Sequence, residues 1–283
     1  MKAQNDFLKK TGYLYSKKTD EAWSDLLNKM EHEEAPELKP SFFSSWAFRV
    51  AAVLVVLLGL AWGIQQMINT KTEKIETASF QKQVVLPDGS VAYLNGNSEL
   101  TYPKKFNPTN RIVKLSGEAF FKVTKNPVKP FIVETQSARI RVLGTSFNVL
   151  APLGANRVEV LVKTGIVSLS PIHNQKDKLY LKKGEFGLME AGKTQRAIDP
   201  GENYLSWQTK KFQFKNENLK NVTEVLSHAY ATHILLESDS LEQLRLTSTY
   251  NQVSLETIIK SLCLTFHLKS NQNGDEIILS AVN

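Results

Sequence analysis

Apolar positions follow three successive rhythms along this chain: a helical stripe, an unbroken apolar run, and then short alternations. Near the start, Phe7, Leu8, Thr11, Leu14 and Tyr15 recur at helical spacing, and Trp23, Leu26, Leu27 and Met30 fall at i, i+3, i+4 and i+7. The spacing predicts two short helices, the second capped by Asp20 with Glu21 in its first turn. Two helices this short cannot bury an apolar face by themselves. The stripe Trp23, Leu26, Leu27, Met30 therefore reads as a face awaiting a partner, and the alternative is a poorly ordered tail. Residues 31–41, EHEEAPELKPS, are acidic and proline-containing and read as a linker.

The second rhythm is Val50–Met67, VAAVLVVLLGLAWGIQQM, with no charged residue between Arg49 and Lys71. Val50, Leu54, Leu58 and Trp62 belong to it. Eighteen helical residues span about 27 Å, close to a hydrocarbon core. Trp46 and Trp62, sixteen residues apart, would sit about 24 Å apart along a helix, one near each interface, while Arg49 snorkels outward. A buried helix of a soluble domain would keep a polar stripe, and none runs through residues 50–64. A signal peptide is a further rival. Here 49 residues precede the run, and Trp62 and Ile64 stand where a cleavage site wants small residues. The reading is one uncleaved transmembrane helix over residues 46–68.

From about Phe80 the period becomes alternating. Gln83–Leu86 precedes the turn Pro87-Asp88-Gly89, and Val91–Leu94 precedes Asn95-Gly96, a hairpin signal. Arg111–Leu115 stops at Ser116-Gly117 and Ala119–Val123 resumes. Pro130–Val133, Arg139–Leu143, Ser146–Leu150 and the alternation around Val158, Val160 and Val162 follow. Residues 80–200 thus read as a mainly β domain, a β-roll or sandwich. Trp207 marks a boundary. Beyond it, strands at Phe212–Phe214, Ile234–Glu237, Leu244–Tyr250, Thr265–Ser270 and Glu276–Ser280 alternate with two helical stripes. One stripe is Leu219, Val222, Val225, Leu226 and Ala229; the other is Leu255, Ile258, Ile259 and Leu262, capped by Ser254. The order β-α-β-β-α-β-β gives a small α+β domain over 207–283. Its exposed edge is expected at Leu244–Tyr250 (Leu244, Leu246, Tyr250) or at the last strand (Ile277, Leu279).

Charge adds little. The 283 residues carry 35 basic and 28 acidic side chains, and residues 1–49 hold eight of each sign. The excess of seven therefore lies beyond the apolar run. No dense basic tract supports nucleic-acid binding, and the lysine and arginine flanks do not fix the orientation of the span. Cys263 is the single cysteine, which rules out an internal disulfide or a multi-cysteine zinc site. It sits in an apolar run and reads as a structural thiol.

No catalytic pattern emerges. His32, His173, His228, His233 and His267 form no HExxH, and no nucleophile elbow, phosphate loop or dinucleotide fingerprint occurs. Asp88 and Glu118 lie in turn-like contexts and read as structural carboxylates, not as a glycosidase pair. The expectation is a non-enzymatic protein with no cofactor, no metal and no small-molecule substrate.

The motifs Leu86-Pro-Asp-Gly-Ser90, Gly117-Glu-Ala-Phe-Phe121, Pro130-Phe-Ile-Val133 and Leu143-Gly-Thr-Ser-Phe-Asn-Val149 are specific and in order. With Gly165 and Gly184-Glu185, they make the middle block resemble the FecR family of membrane-spanning sigma-factor regulators. The C-terminal block, with Phe212-Gln-Phe214 and Asn218-Leu219, looks like the domain that follows in Bacteroidetes-type members. That domain is similar to the short signalling domain of secretins and TonB-dependent transducers. The resemblance implies a cytoplasmic anti-sigma segment over residues 1–45, one inner-membrane span and periplasmic domains at 80–200 and 207–283. The implied partners are an extracytoplasmic-function sigma factor, bound through Trp23, Leu26, Leu27 and Met30, and the periplasmic signalling domain of an outer-membrane TonB-dependent transporter. The alternative is a membrane-anchored periplasmic binding or scaffold protein.

Overall fold

The computed structural model describes residues 19–31, 42–68 and 71–282. The chain divides into two compact units, Met1–Gln66 and Met67–Asn283. In the first unit residues 19–31 are helical (α1). Asp20 lies inside this helix instead of capping it. Trp23, Leu26, Leu27 and Met30 are 61%, 50%, 58% and 66% exposed, so nothing among the described residues covers the stripe. The expected helix around Phe7–Tyr15 and linker residues 32–41 lie outside the described residues.

Helix α2 is Phe42–Ile68. Val50, Leu54 and Leu58 are exposed, as are Val53, Val55, Val56, Leu57 and Leu60. Apolar side chains thus stand on every face, and among the described side chains of α2 none is buried. Among the described residues no helix is long and apolar enough to cross a membrane. The side chains described without a gap are Phe48–Leu60. Trp62 is helical, but its side chain lies outside the described residues.

The second unit begins with a large, nearly closed β-sheet domain. Its thirteen strands form two layers that share one strand. The shared strand is β5 (Arg111–Lys122), which the sequence reading splits at Ser116-Gly117. It stays one strand because Gly117, at φ +92°, takes a turn that a side chain would block: a Cβ there would lie 2.5 Å from Ser98 Oγ. At this point β5 changes partners. Its first half pairs with β4 (Ser98–Pro103) and, in parallel, with β6 (Phe131–Glu134). Its second half pairs with β3 (Val91–Leu94) and β8 (Ser146–Ala151). The first layer is completed by β1 (Thr72–Thr77), β7 (Ala138–Val142), β10 (Ile166–Pro171) and β11 (Leu179–Lys182). The second is completed by β2 (Lys82–Val85), β9 (Arg157–Thr164), β12 (Phe186–Glu190) and β13 (Lys193–Ala197). The inward residues of both layers, among them Leu100, Val113, Phe121, Phe131, Ile140, Phe147 and Val160, make one core.

Two features differ from the sequence reading. Strand β1, TEKIET, precedes Phe80; its one strong apolar residue, Ile75, gave no alternation to read. Asn95-Gly96 is not a hairpin, because β3 and β4 do not pair with each other. The turn carries the chain from one layer to the other.

The α+β part follows the expected order. Strand β14 (Lys211–Asn218) pairs with β16 (Arg245–Asn251), and β18 (Glu276–Ala281) lies between β15 (His233–Leu236) and β17 (Leu268–Asn273). Helices α3 (Ser206–Thr209), α4 (Leu219–Tyr230), α5 (Asp239–Glu242) and α6 (Leu255–Phe266) complete it. Asn218 and Ser254 cap α4 and α6 by accepting from Asn221 N and Thr257 N. Thr265 and Phe266, expected in a strand, continue α6. Cys263 is free and half-buried beside this core. The last strand is central, not an edge, and Ile277 and Leu279 are buried. Leu246 and Tyr250 are buried too, and Leu244 packs partly into the same core. These five side chains pack into the core of the α+β fold.

Candidate functional site: a polar junction between two folds

The β-sheet domain and the α+β fold meet through a shared core and a buried polar cluster. Phe120, next to the inward Phe121 on β5, points the other way and packs with Trp207, Phe212 and Leu226. Tyr93 and Leu161 join it from β3 and β9. Trp207 is 1% exposed and sits on the short helix α3, which enters the second fold.

Glu118 is the centre of the polar part. It lies in strand β5, not in a turn, and is 3% exposed. Asn148 Nδ2 donates to its Oε1 at 2.8 Å. Asn95 Nδ2 and His228 Nε2 donate to Oε2 at 2.8 and 2.7 Å. Asn95 and Asn148 come from the β-sheet domain, His228 from the last turn of α4. The hydrogen bond from His228 to the Glu118 carboxylate raises the imidazole above its ordinary pKa. Three donors on one buried carboxylate satisfy the requirement that a buried charge be paired.

The end of α4 is capped from across the junction. A helix leaves its last carbonyls unpaired. Here Gln81 Nε2 donates to Ala229 O at 3.0 Å and to Trp207 O at 2.9 Å. Asn95 Nδ2 reaches His228 O at 3.4 Å, and Lys210 Nζ donates to Ala229 O at 2.5 Å. Burial lowers the Lys210 ammonium to about 8, and it also stands 4.2 Å from the Tyr230 ring centre. Gly96 faces Ala231, the left-handed cap residue of α4, so closely that a side chain there would collide with it. The Asn95-Gly96 turn thus serves docking. Tyr204 Oη donates to Glu159 Oε2 at 2.9 Å, and burial raises this phenol.

Asp88 has a separate task. Its Oδ2 accepts from Arg111 Nη1 at 2.6 Å, and Arg111 is 1% exposed. Arg111 also donates to Lys129 O and Thr124 O, so the pair ties the β2–β3 turn to the start of β5 and the loop that follows β5. Nothing in the sequence linked Glu118 to Asn95, Asn148 and His228, since these lie 23, 30 and 110 positions from it. Among the described residues no group of three or more His, Cys, Asp or Glu is placed to hold a metal.

The profile of the FecR protein family matches residues 73–168, and that of the FecR C-terminal domain matches 211–279. The chain belongs to the FecR family. The two matches fall on the two folds that the junction joins. Two crystal structures of a candidate anti-sigma factor from Parabacteroides distasonis are 26% and 27% identical to the chain, with TM-scores of 0.56 and 0.55. In both, 75% of this chain covers 100% of the solved one. Met67–Asn283, a compact unit with its own buried cores, is of about that extent. Comparison with curated proteins gives no match. As a FecR-family protein with a FecR C-terminal domain, the chain is a signalling protein and not an enzyme.

Proposed function

We propose that this FecR-family protein is an inner-membrane anti-sigma factor. Residues 1–45 would bind an extracytoplasmic-function sigma factor in the cytoplasm, and the helix over residues 46–68 would span the membrane. Residues 70–283 would lie in the periplasm and receive a signal from a TonB-dependent transporter. The observation that carries the reading is the uncovered stripe on α1, in a chain whose family and solved neighbours concern sigma regulation. The all-round apolar exposure of α2 supports the span, since such a surface suits lipid and not water.

The test is affinity for the sigma factor. Interface hot spots favour Trp, so Trp23→Ala should weaken binding by about 2–4 kcal/mol, roughly 30-fold to 1000-fold. Lys29→Ala, off the stripe, should change little. Calorimetry giving equal affinities for wild type and both variants would remove the stripe from the argument, and a membrane-anchored scaffold would then be the better reading.

The transporter contact is proposed at a sheet edge of the α+β fold, where main-chain groups can accept another strand. Asn203 already occupies the edge of β14, bonding both N and O of Gln213. Strands β16 and β17 each pair on one side only. The bonds Gln252 N to Lys210 O and Val282 N to His267 O fix the alternation, which turns Thr249 and Ser270 outward. Proline at Ser270 or Thr249 would delete an outward N–H and spare the ladder. Ser270→Pro, on the more polar and exposed strand, should reduce binding of a transducer signalling domain at least tenfold. If neither proline variant weakens that binding, edge pairing is the wrong mode.

A further inference from the structure

The outer face of the first β layer carries a trough that neither the junction nor the regulatory reading uses. Its shape follows from strand alternation. Every second residue of β6, β7, β10 and β11 turns into the core. Register sets the others side by side: Ile132 beside Arg141, Arg141 beside Ser168, Ser168 beside Tyr180. The next row places Arg139 beside Ser170. Serine is the short member of both rows, so β10 forms a low floor between long side chains. The cavity above it measures 520 Å³, within the range of about 300–1,000 Å³ typical of small-molecule sites.

The walls combine positive charge with exposed apolar surface. Lys125, Arg139, Arg141 and Lys178 line the cavity and no carboxylate lines it. Arg139 is paired with Glu134 at 2.6 Å. Lys125, Arg141 and Lys178 form no ion pair among the described residues. Gly144, at φ +153°, holds Lys125 at the rim: a Cβ on the glycine would lie 2.5 Å from Lys125 Cα. Ile166 and Tyr180 are 57% and 58% exposed beside these cations. Arginine's fixed fork matches a carboxylate, sulfonate or phosphate, and the Tyr180 ring offers a flat apolar wall.

We propose that this trough binds a small organic acid. Its anionic head is held by Arg141 and the two lysines, and its apolar or aromatic body lies over Ser168 against Tyr180 and Ile166. The proposal stands on the trough alone and is independent of the anti-sigma reading.

The probe is anilinonaphthalene sulfonate, titrated by fluorescence into the fragment Met67–Asn283, with neutral phenylnaphthylamine as its uncharged counterpart. One saturable site is expected, with the neutral probe about tenfold weaker or more. Arg141→Gln and Lys178→Gln should each weaken the anion about three- to tenfold, in line with loss of a charge-assisted contact. Ser168→Phe keeps every charge but fills the floor, and should weaken it at least tenfold. Lys163→Gln, an exposed cation outside the trough, should leave it unchanged. Circular dichroism confirms that each variant is folded, and Ser168→Phe keeps the test open if an arginine variant is not. Equal affinity for the two probes, unchanged affinity in all three trough variants, or no saturable binding below about 1 mM (weaker than the roughly −4.1 kcal/mol that this affinity represents) would overturn the proposal.

Discussion

Glu118→Ala is the sharpest test of the junction. The carboxylate is 3% exposed and receives three donors, at 2.8, 2.8 and 2.7 Å. A hydrogen bond to a charged group contributes about 1.5–3 kcal/mol, but bonds sharing one acceptor do not add. Alanine also leaves Asn148 unpaired, and Asn148 is fully buried, which costs about 1–3 kcal/mol more. The His228 side chain is 42% exposed and can turn to water, so its share is screened to about 1 kcal/mol or less. Together these give a loss of roughly 3–5 kcal/mol, in the range for breaking a buried pair. For a unit of this size that corresponds to roughly 8–15 °C in Tm. Trp207 is the single tryptophan of Met67–Asn283, and it sits in the junction, so its fluorescence in a urea titration reads the perturbed place directly. The midpoint should fall with the slope unchanged. A loss under about 1 kcal/mol, against the ordinary cost of unpairing a buried group, would show that the cluster does not hold the folds together.

Three further outcomes follow from the same structure. The raised pKa of His228 means that its ionic contribution is complete below about pH 6.5 and fades as pH rises through the folded value. His228→Ala should therefore destabilise the fragment more at pH 6 than at pH 9, by about 1 kcal/mol after screening, and an equal cost at both would refute the ion pair. Trp207→Ala should cost about 3–5 kcal/mol by circular dichroism. Trp207→Phe should cost clearly less, because phenylalanine refills much of the volume that alanine empties and the buried indole N–H has no hydrogen-bond partner to lose; equal costs would mean that apolar volume is not what Trp207 contributes.

Element type was legible in the sequence wherever alternation or helical spacing was dense. The stripe at Leu219–Ala229 became α4, and Ser254 capped its helix as its position suggested. Partnership was not legible. Gly117 looked like a strand end because glycine usually breaks strands, yet here it lets β5 serve two layers. Glu276–Ser280 looked like an edge because it comes last, but strand order is set by packing, and a parallel match to β15 places it in the centre. Asn95, Glu118, Asn148 and His228 are ordinary polar residues one at a time. Only the fold shows that they form one cluster. The α1 stripe was legible because it is local, being four residues on one helix face.

The adjacent pair Phe120 and Phe121, facing opposite ways from one strand, bears on how such proteins can be recombined. Exchanging the C-terminal fold with that of a relative, cut in the segment before Trp207, would transplant one half of a hydrophobic contact and leave Tyr93, Phe120 and Leu161 behind. A working hybrid would have to take those three side chains, and Gly96 for clearance, from the same parent as the incoming fold. A graft of the C-terminal fold would therefore have to bring part of the preceding strands with it.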